Sequence, residues 1–250
     1  MMPQPTYADL AGLVDETELV VRAEIRDQIR LAPERAPDVA PGMARLYIEA
    51  RTGALLSGSV PVGETLRYLV DVPLRSDGKV PKLKKQQVLL FARPVPGRTD
   101  ELQLVERDAQ LAWTPELESR LRPILADFIA PDAPPVITGV SEGMSIEGNL
   151  AGETETQFFL STERGEPVSL TILRRPSAQP QWGVSWSELV VQSDSAPAPR
   201  TVGWYRLACS LPRTLPQGIM LTDDAAARLR AERDYAFVLE QLGSCERNRT

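Results

Sequence analysis

Hydrophobic and polar residues alternate along much of the first half of the chain. A period of two runs through residues 19–26, 45–51 and 65–72, as is typical of strands that bury one face. A continuous apolar run at 87–92 predicts a central strand, and residues 101–106 predict one more. We therefore expect five strands in this half.

Two helices flank these strands in the predicted order. A short helix runs from Thr6 to Asp15, and a longer one begins where Thr114 can cap it and Pro115 takes the first helical position. The longer helix carries one apolar stripe, formed by Leu117, Leu121, Ile124, Leu125 and Phe128. The proline-rich run at 131–135 ends it, and we place a domain boundary between residues 131 and 132.

The second half reads as short strands followed by a helix. The predicted strands cover residues 136–140, 144–150, 156–162, 168–173, 182–191 and 201–209. The segment Thr222-Asp223-Asp224 caps a final helix that reaches Leu242, and Gly243 ends it.

These elements predict a mainly β, α+β protein with two β-rich domains. Residues 1–131 have the five strands and closing helix of an OB-like barrel. Residues 132–250 are expected to form an antiparallel, β-sandwich-like sheet with a C-terminal helix.

The first half resembles a netrin-like domain, the tissue-inhibitor version of the OB-type barrel. The residues that carry the resemblance are a helix leading into Glu18-Leu19-Val20-Val21-Arg22-Ala23, a proline-rich loop, two alternating strands and Val88-Leu89-Leu90-Phe91. The resemblance implies the barrel shape. It implies no inhibitory activity, because the cysteines that pin the animal members are absent from this half. The whole chain also resembles uncharacterised exported bacterial proteins, and that resemblance supplies no function.

The composition removes several kinds of chemistry. The 250 residues include no histidine, so a Ser-His-Asp triad, a Cys-His pair and an HExxH zinc site are excluded. Carboxylates, a lysine or a thiolate remain for catalysis. The S-x-x-K sequence at Ser76–Lys79 lies on an Asp-Gly turn and lacks its partner motifs. No P-loop or dinucleotide fingerprint occurs, and we expect no cofactor and no metal.

Charge argues against nucleic acid as the main partner. The net charge is −6, and the first 131 residues carry 17 basic and 19 acidic side chains, whereas a phosphate-backbone binder needs a basic face. The one basic cluster consists of Lys79, Lys82, Lys84 and Lys85. Beside Tyr68 it could hold single-stranded nucleic acid. A solvated hairpin that discourages edge pairing explains it as well.

The two cysteines and the N-terminal residues indicate the cellular compartment in which the protein is expected. Cys209 and Cys245 bracket one predicted strand-loop-helix unit, which suits a disulfide and an oxidising compartment. The doubled methionine at the start indicates a start codon placed on a mature N-terminus. We expect a periplasmic or secreted protein, with the cytoplasm as the alternative. No run approaches the roughly 20 apolar residues of a membrane span.

Aromatic residues of the second half suggest a ligand platform. Trp182 and Trp186 fall on one face of the predicted strand, and Trp204 follows on the next one. Such indoles could stack on a sugar, peptide or base, and Arg174 could stack on one of them. A sheet core is the favoured alternative for these large side chains.

These observations favour a non-catalytic binding module over an enzyme. The alternatives are a hydrolase that uses two carboxylates without a cofactor and a single-strand nucleic-acid binder. The partner is expected to be a protein or a small molecule, and no motif specifies it or the oligomeric state.

Overall fold

The computed structural model describes residues 4–187 and 194–249. The chain divides into two units. One, the barrel unit, comprises residues 9–128. The other, the sheet unit, joins the described residues up to Ala8 with those from Ile129 onward.

The barrel unit contains six strands between two helices, the first of which begins two residues before the unit does. In chain order these are α1 (Tyr7–Glu16), β1 (Leu19–Arg30), β2 (Met43–Ser57), β3 (Thr65–Pro73), β4 (Gln87–Val95), β5 (Arg98–Leu104), β6 (Gln110–Ala112) and α2 (Pro115–Phe128). The strands follow the order β1-β2-β3-β5-β4, and pairing of β4 with β1 closes the ring. Only β3 and β5 run parallel, and β6 pairs with β4 outside the ring. The predicted OB-like barrel is therefore confirmed as a closed, five-stranded barrel.

Strand β2 shows why the period of two produces this barrel. Leu46 and Ile48 are fully buried, whereas Arg45, Tyr47 and Glu49 point to the outer face. Alternate residues of a strand face opposite sides of the sheet. The interior is thus apolar, and the outer face is free to carry charge. The unbroken apolar run of β4 is buried throughout, from Val88 to Ala92.

Helix α2 follows its capping signals. The Thr114 hydroxyl accepts a hydrogen bond from the backbone N–H of Leu117 at 3.1 Å, as expected of an N-cap residue. Four of the five predicted stripe residues are buried, namely Leu117, Leu121, Ile124 and Leu125. The helix predicted from the sequence is confirmed.

The sheet unit is an antiparallel meander with helices. Its elements are β7 (Ile137–Glu147), β8 (Thr154–Thr162), β9 (Val168–Arg174), β10 (Gln181–Ser185), β11 (Asp194–Ser195), α3 (Val202–Ala208) and α4 (Ala225–Leu242). Adjacent strands pair in chain order. Helix α4 packs on β7 and β8, where Tyr235 meets Phe158 edge to face with ring centroids 5.4 Å apart. The predicted sheet with a C-terminal helix is confirmed.

The strand predicted at residues 201–209 is wrong, because this segment forms helix α3. Thr201 caps the helix by accepting a hydrogen bond from the N–H of Trp204 at 3.2 Å. All residues from Val202 to Leu207 are buried. A short segment that is buried on every side carries no periodicity that distinguishes a helix from a strand, and its aromatic and β-branched residues favoured a strand.

Other strand boundaries also differ from expectation. The two strands predicted at 136–140 and 144–150 form the single strand β7, which contains bulges. Strand β10 ends at Ser185, and residues 188–191 of the predicted strand lie outside the described residues. Strand β6 was not predicted, since three residues are too few to show a pattern.

The N-terminal segment contacts the C-terminal tail within the sheet unit. The Thr6 hydroxyl donates to the carbonyl of Glu246 at 2.8 Å, and the amide of Asn248 donates to the carbonyl of Gln4 at 2.8 Å. These contacts explain why the residues before Asp9 group with the sheet unit, whereas the sequence-based division assigned all of 1–131 to the barrel.

Within the described part of the chain, no helix has the length and apolar character needed to cross a bilayer.

Candidate binding groove of the barrel

A groove runs over one side of the barrel unit. It has a volume of about 1130 Å³, slightly more than a typical small-molecule pocket of roughly 300–1000 Å³. Its walls come from the end of β1, the loop that follows, the outer face of β2 and β3, and β5 with the loop after it. In OB-type barrels the face of strands 2 and 3 and the loop between strands 1 and 2 bind oligonucleotides and oligosaccharides.

An exposed row of three apolar side chains crosses this groove. Ile29 pairs with Tyr47, and Tyr47 pairs with Leu69, so the three residues are direct neighbours on β1, β2 and β3. Their exposed fractions are 57%, 37% and 46%. Side chains directly opposite each other on adjacent strands lie roughly 5 Å apart. The row, called here the apolar row, is therefore a continuous strip about 10 Å long.

A buried ion pair lies on one side of the apolar row. Arg45 and Asp71 are register partners, and the guanidinium donates two hydrogen bonds to the carboxylate at 2.7 and 2.8 Å. Arg45 also donates to Asp38 at 2.9 Å. Hydrogen bonding to Asp71 raises the pKa of the Arg45 guanidinium. A two-pronged pair of this kind fixes the orientation of both side chains, so this wall of the groove is rigid.

The other side of the apolar row is mostly acidic. Asp27 pairs with Glu49, Glu49 pairs with Arg67, and Arg67 pairs with Glu101. Arg67 donates to Asp100 at 2.9 Å. Acids therefore outnumber arginines beside the row on this side, whereas Arg45 and Asp71 balance each other on the opposite side.

Arginines are the main charged residues of the lining. Arg30, Arg35, Arg45, Arg67 and Arg107 line the groove, against Asp71, Glu101 and Glu106. Arg107 forms an ion pair with Asp38.

The predicted lysine cluster lies elsewhere on the barrel. Lys79, Lys82, Lys84 and Lys85 are all exposed, on a segment that Gln28 of β1 holds through hydrogen bonds with Pro81 and Leu83. None of the four is among the described residues that line the groove.

Tyr68 cannot serve as the stacking partner that the sequence suggested for these lysines. Its side chain is 3% exposed, and its hydroxyl donates to Gln110 at 2.7 Å. Burial raises the pKa of this hydroxyl. The exposed aromatic residue of the described groove lining is Tyr47 on β2, which pairs with Leu69.

The three candidate tryptophans do not share one open face. Trp204 is buried, and its indole N–H donates to the carbonyl of Leu242 at 2.7 Å. Trp186 lies beyond the end of β10 and packs next to Gly203, where an added Cβ would lie 3.1 Å from its ring. Trp182, in β10, is partly exposed and pairs with Ile172.

Arg174 also has a different partner from the one predicted. Its guanidinium stacks on the ring of Phe237 at 5.5 Å from the centroid and not on an indole. Its Nε donates to Asp234 at 2.5 Å, so this arginine belongs to the contact between β9 and α4.

Cys209 and Cys245 form a disulfide, with their Cα atoms 5.1 Å apart. The bond joins the residue that caps the C-terminus of α3 to the tail beyond α4. The pairing predicted from the sequence is present, although Cys209 ends a helix and not a strand.

Two buried carboxylates have structural partners. Asp234 contacts Arg174, Arg233 and Thr156 in the sheet unit. Glu118 contacts Arg22 and Arg122 in the barrel unit. Neither lines the groove, and the described residues contain no cluster of three or more His, Cys, Asp or Glu that could hold a metal ion.

Glu118 fastens α2 to the barrel wall. It accepts hydrogen bonds from the Trp113 indole at 2.6 Å, from Arg122 at 3.0 Å and from Arg22 at 3.3 Å. The Arg22 guanidinium also lies 5.1 Å from the centroid of the Trp113 ring. The hydrogen bond from Trp113 and the two arginines hold the pKa of the Glu118 carboxyl below its usual value.

We expect Glu118→Gln to lower the free energy of unfolding at pH 7 by about 1–3 kcal/mol, the range for hydrogen bonds to a charged group. Because the folded pKa is lowered, the carboxylate stabilises the native state fully above pH of about 4.3, and this contribution disappears as the pH falls through the folded pKa. Urea denaturation at pH 7 and pH 3 measures both effects. Glu116→Gln, an exposed change on the same helix, is the control. If Glu118→Gln and Glu116→Gln lower the free energy of unfolding equally at both pH values, the stabilising role given to the Glu118 carboxylate is wrong.

Comparison with protein-family models and with curated proteins finds no match to this chain. The function is therefore inferred from the residues that line the groove. Sequence reasoning missed the apolar row, although one signal was available: Tyr47 occupies an outward position in an alternating strand whose other outward residues are charged.

Proposed function

We propose that the protein is a non-catalytic binding module, and that the groove of its barrel unit holds an extended segment of a partner. The observation that carries this proposal is the apolar row, exposed at the centre of an arginine-lined groove. Contiguous apolar surface that is rimmed by polar residues marks interaction sites.

The row matches what a binding surface requires. Its residues are held on three hydrogen-bonded strands, so little conformational entropy is lost when a ligand covers them. Burying apolar area contributes about 25 cal/mol per Å². The Arg45–Asp71 pair provides a fixed polar edge that can select the orientation of the ligand.

The location of the groove agrees with the proposed relation to OB-type barrels. A helix before and a helix after a closed five-stranded barrel also support the proposed resemblance to netrin-like domains. We infer a common shape from this arrangement and no inhibitory activity.

We also propose that the protein is exported to an oxidising compartment. The disulfide between Cys209 and Cys245 supports this location, because structural disulfides persist outside the reducing cytosol. Protein isolated from its native source without reductant and denatured is expected to contain no titratable thiol. Two titratable thiols contradict the proposal.

Replacing groove residues is expected to abolish binding without unfolding the barrel. A random peptide library displayed on phage is selected on the wild-type protein, and the selected peptides are measured against Tyr47→Ala and Leu69→Ala. We expect each change to weaken binding by about tenfold or more, since both remove apolar contacts at the centre of the groove.

Leu55→Ala provides a matched control for this experiment. Leu55 is a leucine on β2 that is 40% exposed, close to the 46% of Leu69, and it lies outside the groove lining. Thermal unfolding of each variant verifies the fold. The proposal fails if selection yields no peptide whose affinity depends on Tyr47 and Leu69 but not on Leu55.

A further inference from the structure

Two arginines of the groove have no ion-pair partner among the residues that the structure describes. Arg45, Arg67 and Arg107 each face an acid. Arg30 and Arg35 are exposed, and no carboxylate within residues 4–187 and 194–249 forms an ion pair with them. A guanidinium stays charged at every physiological pH, so Arg30 and Arg35 present two positive charges that a ligand can pair with.

These two arginines line the same groove as the apolar row. Arg30 is the last residue of β1 and follows Ile29 directly, and Arg35 lies in the short helical turn Pro33–Arg35 of the next loop. Arg30 pairs with the inward-facing Leu46 and therefore leaves β1 on the opposite face from Ile29. A ligand that covers the row reaches the two arginines by continuing past Ile29 to the end of β1, where both residues line the groove.

The flanking charges disfavour a nucleic-acid strand in this groove. Asp27 and Glu49 lie directly beside the row, where a phosphate chain that covered the row would approach them. Tyr47 is the one exposed aromatic residue in the described lining, whereas single-strand binders stack successive bases on several. A ligand whose negative charge is confined to the end near Arg30 and Arg35 avoids repulsion by Asp27 and Glu49.

We propose that the groove binds an acidic peptide, whose apolar side chains cover Ile29, Tyr47 and Leu69 and whose Asp or Glu side chains pair with Arg30 and Arg35. This inference rests on the proposed binding function of the groove and specifies the chemistry of the partner. Carboxylates match the planar fork of a guanidinium and accept two hydrogen bonds from it.

The dimensions of the row define the spacing of such a peptide. Alternate side chains of an extended chain lie on one face, about 6.6–6.8 Å apart. Two apolar side chains at positions i and i+2 cover the strip of about 10 Å. The acidic residues then occupy positions i+4 and i+6, or i−2 and i−4 if the chain runs in the opposite direction.

Capped synthetic peptides test this inference by isothermal titration calorimetry. The peptide Gly-Ser-Leu-Ser-Phe-Ser-Asp-Ser-Asp-Gly and its reversed sequence are acetylated and amidated, so that no terminal charge contributes. Two further versions replace both Asp residues with Lys or with Ser, and a ten-residue thymidine oligonucleotide is the nucleic-acid arm. We expect one of the two acidic sequences to bind about tenfold more tightly than its neutral version, and less tightly as salt is added.

Charge reversal in the groove is the decisive measurement. The double change Arg30→Glu and Arg35→Glu is expected to shift the preference from the Asp peptide to the Lys peptide. Lys84→Glu alters the charge of an exposed residue outside the groove lining and is expected to leave the preference unchanged.

The other outcomes of these experiments contradict either the acidic preference, the choice of a peptide as the ligand, or the proposed binding function. If neutral and acidic peptides bind equally and both depend on Tyr47, the groove binds peptides but the acidic preference is wrong. If the oligonucleotide binds more tightly than every peptide, the groove is a nucleic-acid site. If neither these peptides nor the phage library bind at the groove, the proposed function itself fails together with this inference.

Discussion

Replacing Asp234 with alanine is expected to lower the free energy of unfolding of the sheet unit by about 3–5 kcal/mol, as is typical when one member of a buried ion pair is removed. Asp234 lies in α4 with no exposed surface. It accepts hydrogen bonds from the Thr156 hydroxyl at 2.6 Å and from Arg174 at 2.5 Å. One carboxylate thus joins the final helix to β8 and β9.

The large effect follows from what the substitution leaves behind. Thr156 is fully buried, and its hydroxyl lies 3.0 Å from that of Ser145, itself a buried residue. Without Asp234, the guanidinium of Arg174 loses its carboxylate in a place where its side chain is only 21% exposed. Unpaired buried charge is among the most destabilising changes that a protein can undergo.

Urea denaturation followed by circular dichroism measures the loss. Glu232→Ala removes an exposed carboxylate from the same helix and is expected to change the stability by no more than about 0.5 kcal/mol. Asp234→Asn keeps the shape of the side chain but removes its charge. Its loss of stability is expected to lie between those of Asp234→Ala and Glu232→Ala. A loss below about 1 kcal/mol for Asp234→Ala contradicts the structural role given to this residue.

Removing the disulfide is expected to lower the stability of the sheet unit by about 3–4 kcal/mol, the value that chain entropy predicts for a loop of this length. The two cysteines are 36 residues apart. The bond limits the freedom of the unfolded chain between α3 and the tail. In the folded state the tail carries Glu246 and Asn248, which hold the N-terminal segment.

Chemical reduction of the disulfide and replacement of its two cysteines are expected to lower the stability by the same amount. The double variant Cys209→Ala, Cys245→Ala is expected to unfold at the same urea concentration as reduced wild-type protein, and reductant is expected to leave the double variant unchanged. Unfolding of the wild type at the same urea concentration with and without reductant contradicts the stabilising role of the bond.

The strands and capped helices were accessible from the sequence because their signals are local. Tyr47 and its neighbours on β2 alternate with a period of two, and Thr114 with Pro115 begins α2 at the predicted residue. Helix α3 was not accessible, since its seven residues, six of them nonpolar and one Arg206, are too few to show a helical period, and burial of Val202 to Leu207 is visible only in the structure. Trp204 could not be assigned to a surface or a core until its partner, the carbonyl of Leu242, was known.

The candidate site was visible only in part, because long-range register brings it together. Ile29, Tyr47 and Leu69 are each unremarkable in the sequence, and strand pairing makes them neighbours. The lysines between Lys79 and Lys85 form a cluster that is visible in the sequence, because their charges are close together in the chain. Residues that are close in the chain reveal a local cluster of charge. A binding surface is formed by residues of different strands, and it depends on which strands lie side by side.

By itself, then, the sequence determined the alternating strands, the helix caps, the cysteine pair and the absence of imidazole chemistry, since each depends on composition or on residues a few positions apart. The tertiary structure alone decided the closure of the barrel, the apolar row with its unpaired arginines, and the burial of Asp234 against Thr156 and Arg174. The reason is physical: local preferences act over a few residues, but strand register and the packing of a helix on a sheet join residues that are dozens of positions apart.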